Sequence, residues 1–195
     1  MNALPGNLAT ARLLLRPPQV EDAAAINEAI RESFPELNAW MEWALQVPEL
    51  EDTRGFVNDA RRQRAEGTAC AMLMLDAAAG TLVGASGYAR VDWEVPSFEI
   101  GYWCRTPLCG RGYVSEAVEA LVRHAFTTLG ARRVEIRMDD RNTRSAAVAE
   151  RLGFDLEGTI RHHVRDHHGR LRDTRIYALL DPTNLRTPLP KQPEL

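Results

Sequence analysis

Cys109-Gly110-Arg111-Gly112-Tyr113-Val114-Ser115 is the stretch on which the reading of this chain turns. Two glycines flank Arg111 ahead of residues 115–129, where Val118, Leu121, Val122, Ala125, Phe126 and Leu129 recur at helical spacing and Gly130 supplies the stop. A turn that opens a helix presents unpaired backbone N–H groups and the positive end of the helix dipole, so it suits an anion, most often a phosphate. Gly110 and Gly112 can both take positive φ and let a ligand approach the backbone closely. A phosphate-bearing cofactor is the expectation.

Spacing weighs against two phosphate-binding designs. A P-loop needs Gly-Lys-Ser/Thr, whereas Gly112 is followed by Tyr113 and Val114. A dinucleotide fingerprint puts glycine where Ser115 stands. Glu99-Ile100-Gly101-Tyr102-Trp103, followed by Gly110-Arg111-Gly112-Tyr113-Val114-Ser115-Glu116-Ala117, closely resembles a third design, the coenzyme A pyrophosphate loop of the GNAT acetyltransferases. The resemblance extends over about residues 11–180 and points to the RimJ/RimL-like branch. Thr10-Ala11-Arg12-Leu13-Leu14-Leu15-Arg16 resembles its opening strand, Glu99 to Trp103 its fourth strand, and Asn142, Ser145 and Gly153-Phe154 its closing helix. One departure stands at the head of the loop, where Pro107 occupies a place that the wider superfamily gives to Gln or Arg. The loop backbone is then left to carry most of the pyrophosphate contact.

The resemblance implies an α/β (α+β) protein with the GNAT fold. That fold has a mixed central sheet, mostly antiparallel, with one splayed parallel pair of strands and flanking helices. The expected organisation is a single domain over residues 1–181 and a proline-rich tail over 182–195, where Pro182, Pro188, Pro190 and Pro193 oppose regular structure. Residue patterning agrees along the chain. Residues 11–16 read as a strand ended by Pro17-Pro18, and Val20-Glu21-Asp22 opens an alanine-rich helix through Arg31. Residues 37–45, with Trp40 and Trp43, and residues 53–66 read as further helices. Residues 69–75, 82–91 and 97–104 read as successive antiparallel strands, the first two joined by Ala77-Ala78-Ala79-Gly80. Val134, Ile136 and Met138 alternate as a strand, residues 144–152 form a short helix, and residues 162–166 and 172–180 flank a hairpin at His168-Gly169.

What the resemblance implies for chemistry is acetyl transfer from acetyl-CoA to a primary amine, a small molecule or a protein N-terminus, by direct attack in a ternary complex. Cofactor contacts fall on Gly110, Arg111, Gly112, Tyr113, Val114 and Ser115 at the pyrophosphate. Trp103, Cys104 and Arg105 stand beside the pantetheine arm, which lies in the gap facing residues 136–138. A backbone N–H near Cys104 would polarise the thioester oxygen. Asn142 matches the family's pantetheine contact and equally reads as an ordinary helix N-cap. The tyrosine that often protonates the departing thiolate is replaced by Ala149. In this branch Ser145 takes that place, with a first-turn serine bonding the backbone as the competing reading. Glu99 shares a strand face with Gly101 and Trp103 and is the candidate general base, or else a solvated carboxylate or a salt-bridge partner. A carboxylate carried in the final hairpin by the family member that modifies a ribosomal stalk protein corresponds here to Val164. An acyl-CoA sensor without turnover is the alternative function.

Bulk properties suit such an enzyme. The 195 residues are 45% hydrophobic and 26% charged, with a net charge of -3, which gives no basic footprint for nucleic acid or a membrane surface. No apolar run approaches the roughly 18 residues of a span, and no signal segment opens the chain. Cys70, Cys104 and Cys109 lack zinc spacing and read as reduced thiols of a cytoplasmic protein. His162, His163, His167 and His168 sit among Arg161, Arg165 and Arg170, which oppose a cation, so no metal is expected. A homodimer is compatible with all of this.

Overall fold

The computed structural model describes residues 4–186. Strands β1 (Leu8–Ala9) and β2 (Leu13–Arg16) precede three helices, α1 (Ala23–Glu32), α2 (Phe34–Trp40) and α3 (Leu50–Glu66). The meander β3 (Cys70–Asp76), β4 (Leu82–Asp92) and β5 (Ser97–Cys104) follows, then α4 (Tyr113–Thr128), β6 (Arg133–Asp139) and α5 (Thr143–Leu152). The hairpin β7 (Asp155–Arg165) and β8 (Leu171–Leu179) completes the set. Among the described residues the strands form one sheet in the order β1-β2-β3-β4-β5-β6-β8-β7. Every pairing is antiparallel except β5 with β6.

Alternation along the strands gives the sheet two buried faces. Tyr88, Phe98, Ile100, Val134 and Ile136 pack on one face under Ala117, Val118, Leu121, Val122 and Ala125 of α4 and Ala146, Ala149 and Leu152 of α5. Each fully buried Leu, Val or Ile in such a layer contributes about 1.5–3 kcal/mol. Tyr88 crosses this layer and donates its hydroxyl to the Leu121 carbonyl at 2.8 Å, which pins α4 to the strand. Leu73, Leu82, Ala85 and Trp103 face the other way, against Ile26 and Ile30 of α1 and Val57 of α3.

Helix α3 starts three residues earlier than expected, at Leu50, and three other elements differ from the sequence expectation in ways that bear on the site. The second helix spans Phe34–Trp40 instead of 37–45, because Pro35 starts it and Met41 turns extended at φ -97°, ψ 120°. Trp43 therefore lies on a loop. Helix α4 begins at Tyr113, with Gly112 as its left-handed N-cap. The first strand of the final hairpin starts at Asp155, because pairing continues across two register shifts, with His162 at φ 52° in the second. Beyond β8, Pro182–Asn184 forms one 3-10 turn capped by Asp181, and the Arg186 N–H donates to the Leu152 carbonyl at 3.0 Å. Residues 187–195 of the expected tail lie outside the described residues.

Candidate active site

The parallel pair holds for three residues only. Ser97, Phe98 and Glu99 pair with Arg133, Val134 and Glu135, and beyond Glu99 the two strands part. Strand β5 continues on β4 alone as far as Cys104, opposite Gly84. The Arg105 N–H donates to the Val83 carbonyl at 2.8 Å, so antiparallel alternation commits the amides of Trp103 and Gly101 to β4 as well. The amides of Tyr102 and Cys104 then point toward β6, into the gap. Gly84 makes this placement feasible, since a Cβ there would lie 2.3 Å from the Trp103 oxygen and 2.8 Å from the Cys104 Cα. A short open wedge with two aligned donors on one wall results.

At the end of β5 the chain passes through a short 3-10 turn, Thr106–Leu108, into the glycine loop. Gly110 and Gly112 stand at φ 78° and 81°, as the two-glycine pattern predicts. The first backbone bond of α4 closes at Glu116, whose N–H donates to the Gly112 carbonyl at 3.1 Å. The amides of residues 110–115 therefore have no acceptor among the described residues, which leaves an N-terminal anion cradle. Arg111 is exposed, its Nη2 donating to the Pro107 carbonyl at 3.2 Å, and Arg151 reaches the buried Ser115 hydroxyl at 3.3 Å. Both cations flank the cradle. The donor set fits a pyrophosphate: outward amides, a helix dipole and guanidinium groups, with no carboxylate in 109–115.

Arg12 holds this loop in place. Its Nε and Nη2 bond the Glu116 carboxylate at 2.7 and 2.6 Å, its Nη1 donates to the Arg111 carbonyl at 3.0 Å, and its guanidinium stacks 4.7 Å from the Tyr113 ring centroid. Thr10 donates to the same carboxylate at 2.6 Å. Hydrogen bonds from Thr10 and Arg12 hold the Glu116 carboxyl below its ordinary value against the upward push of burial. Tyr113 thus packs on Arg12, and its hydroxyl lies 3.4 Å from Asp76. Val114 packs against the α4 core layer.

Helix α5 closes the other end of the wedge. Asn142 is its N-cap, accepting the Ser145 N–H on Oδ1 at 3.0 Å, so the cap reading of Asn142 is realised. The Ser145 hydroxyl is not spent on the helix backbone. It lies 2.8 Å from the phenol of Tyr102 across the gap, with the Tyr102 hydroxyl also 3.3 Å from the Ser145 carbonyl. Burial pushes the Tyr102 phenol up to about 12. The turn carrying Asn142 is anchored by Asp139, which accepts from the Arg141 N–H at 3.0 Å and from its guanidinium at 2.8 and 2.6 Å.

On the opposite sheet face, Glu99 lies 3.7 Å from Arg137 and 4.0 Å from Arg90. Burial raises its carboxyl above the usual glutamate range, and Arg137 only partly offsets that. Trp103, on the same face, meets Trp43 edge-on with centroids 6.5 Å apart. The loop carrying Trp43 also touches the final hairpin, through Glu42 to Arg172 and through the Met41 carbonyl 3.1 Å from His167 Nε2. It bridges β5 to β8. Arg105 turns away from the wedge, its guanidinium bound to Glu32 at 2.7 Å and Glu28 at 3.7 Å, so its side chain is not at the gap. Cys104 keeps a thiol that burial pushes up to about 12, and its carbonyl lies 3.8 Å from Cys109 Sγ.

The hairpin histidines are dispersed: His163 bonds Thr174 at 3.0 Å, His167 meets Met41, and the backbone N–H groups of His162 and His168 donate to Asp173 and Asp166. Among the described residues no cluster of three His, Cys, Asp or Glu could hold a metal ion. Sequence reasoning missed Tyr102, Arg12 and Glu116. For Tyr102 the signal was available, because the alternation that put Glu99, Gly101 and Trp103 on one face puts Tyr102 on the other, facing the helix that carries Ser145.

Comparison with known proteins gives concordant results. Residues 12–155 match the family described as Acetyltransferase (GNAT) domain. The chain is 31% identical over 175 residues to an uncharacterized N-acetyltransferase p20 of Bacillus licheniformis, covering 89% of this chain and 95% of the relative. It is 30% identical over 126 residues to the ribosomal-protein-serine acetyltransferase of Escherichia coli (strain K12), covering 63% and 69%. A solved structure of RimL, a ribosomal L7/L12 alpha-N-protein acetyltransferase in complex with coenzyme A, superposes with a TM-score of 0.85 at 24% identity, covering 90% of this chain and 98% of that one. At that identity the likeness is one of fold.

Proposed function

This chain belongs to the GNAT acetyltransferase family, and from that premise we propose that it acetylates a protein N-terminal amine with acetyl-CoA as donor. The acceptor class follows the E. coli relative that bears the name ribosomal-protein-serine acetyltransferase. The observation that carries the donor side is the wedge left where β5 and β6 part after Glu99 and Glu135, ending at the open amides of the 110–115 loop. Gly110, Arg111, Gly112, Tyr113, Val114 and Ser115 hold the pyrophosphate with their backbone amides, Arg111 and Arg151 adding charge. Trp103, Cys104 and Asn142 flank the pantetheine arm, while Arg105, its N–H on Val83 and its guanidinium on Glu32, anchors the end of β5.

In this reading the amine nitrogen bonds to the acetyl carbonyl carbon. The Cys104 amide, aided by that of Tyr102, donates to the oxygen as negative charge develops there. The carbon–sulfur bond then breaks and its electron pair stays on sulfur, where the Ser145 hydroxyl donates a hydrogen bond. The ammonium proton leaves to Glu99 through water. A carboxyl raised by burial is a better proton acceptor than a free glutamate, since its basicity is closer to neutral pH. Positioning supplies the larger share of the rate.

Three free cysteines support placing the enzyme in the cytoplasm. Edge strand β7, with Leu156 and Ile160 52% and 40% exposed, supports a homodimer. No described helix is long and apolar enough to cross a membrane. An acyl-CoA sensor is not favoured, since the matched family is one of acetyltransferases. The test is a panel of N-terminal peptides, polyamines, amino acids and amine antibiotics, each supplied with acetyl-CoA. N-terminal peptides giving the highest kcat/KM supports the acceptor class, and acetylation confined to small amines removes it.

A further inference from the structure

We propose that Tyr102 is a positioning residue for the chemical step: its phenol donates to Ser145 Oγ and thereby leaves the serine hydrogen free to point at the departing sulfur. The proposal rests on the reading of Ser145 given above. Tyr102 lies in the stretch of β5 that has lost its β6 partner, on the face opposite Glu99, and its oxygen sits 2.8 Å from Ser145 Oγ. Ser145 is 43 residues further along the chain, so the contact ties the free edge of β5 to the first turn of α5.

A serine hydroxyl has one hydrogen to give, and in a first helical turn that hydrogen commonly returns to the local backbone. Among the described residues that bond is not made here. Asn142 Oδ1 takes the Ser145 N–H at 3.0 Å and fixes the backbone of the turn. Tyr102 then meets the side chain itself at 2.8 Å, against 3.3 Å to the Ser145 carbonyl, and to this shorter contact we assign the phenol hydrogen; among the described residues Tyr102 is the one side-chain group within hydrogen-bond reach of Ser145 Oγ. The phenol suits donation, because burial keeps it protonated far above neutral pH. With the phenol hydrogen bond directed at Oγ, the serine becomes a polarised donor, and a chain of two hydrogen bonds strengthens both. No proton is lost by Tyr102. As the carbon–sulfur bond breaks, the electron pair on sulfur is met by a hydrogen bond already aimed at it.

Single-turnover acetyl transfer and acetyl-CoA affinity measured on wild type, Tyr102→Phe, Ser145→Ala and the double variant test this. Ser145→Ala should slow transfer about 10²-fold. Tyr102→Phe should slow it roughly tenfold, with acetyl-CoA affinity unchanged, and the double variant should be no slower than Ser145→Ala. Multiplicative losses in the double variant, or full speed in a folded Tyr102→Phe, overturn the proposal. A slow Ser145→Ala beside a fast Tyr102→Phe removes Tyr102 alone, whereas full speed in both also removes Ser145. If Tyr102→Phe fails to fold, fluorinated tyrosine at position 102 preserves the ring and makes its phenol more acidic. The alkaline limb of turnover should then move to lower pH, and an unmoved limb refutes the proposal.

Discussion

Glu99 of β5 and Glu135 of β6 are the last residues paired between the two parallel strands, and the sheet opens immediately beyond them. Two like charges side by side repel, and the structure answers with arginines. Arg133 and Arg137 bond Glu135 at 2.7 and 2.8 Å, while Arg137 stays 3.7 Å from Glu99. Glu135 is thereby neutralised as a structural carboxylate. Glu99, less closely paired and partly buried, is the carboxylate that the proposed mechanism uses as base.

Replacing Glu99 by Gln should lower kcat/KM about 10²-fold and abolish the acidic limb of the pH profile. In wild type that limb should lie above the ordinary glutamate range, because burial raises the carboxyl in the folded protein. The same shift fixes the sign for stability. A raised carboxyl favours folding while protonated and loses that contribution as pH rises, so Glu99→Gln should not be less stable than wild type at neutral pH. Rate against pH, with melting temperatures on the same samples, checks both; an unchanged profile in the variant removes Glu99 as the base.

Gly112→Val should weaken coenzyme A binding at least tenfold. Gly112 stands at φ 81°, a conformation that costs a β-branched residue about 1–3 kcal/mol. The variant must either distort the loop, turning the amides away, or crowd the ligand. Calorimetric titration with coenzyme A reads the affinity and circular dichroism reads the fold. A folded variant with wild-type affinity shows that this loop does not hold the pyrophosphate.

Asp139→Asn should destabilise the protein by about 2 kcal/mol at pH 7 and slow transfer through a looser α5 turn. Hydrogen bonding to Arg141 depresses the Asp139 carboxyl to about 2, and Arg172, whose side chain is 9% exposed, loses a counter-charge 3.5 Å away. A depressed carboxyl contributes stability above its unfolded value and loses it as pH falls toward about 2. Urea melts at pH 7 and pH 3 should show the gap between variant and wild type narrowing; a gap independent of pH contradicts the assignment.

The loop was legible in the sequence because glycine spacing, helix periodicity and a preceding strand are local signals. The antiparallel meander was legible for the same reason, through alternation and turn residues. The point where β5 and β6 part was implied by resemblance alone, since no residue between Glu99 and Cys104 breaks the strand pattern. Arg12 on Glu116 and Tyr102 on Ser145 are contacts between distant segments, 104 and 43 residues apart, and side-chain type cannot disclose them. Arg105 shows the converse. It follows directly on β5, but two glutamates of α1 capture its side chain, a tertiary contact that overrides sequence position.

Amine-dependent release of free thiol from acetyl-CoA tests the central claim most directly. The account predicts many turnovers per protein molecule with an N-terminal peptide as acceptor, saturating in both substrates and lost on omitting the amine. Stoichiometric binding of acetyl-CoA without amine-dependent thiol release, across the full panel of amines, would contradict it.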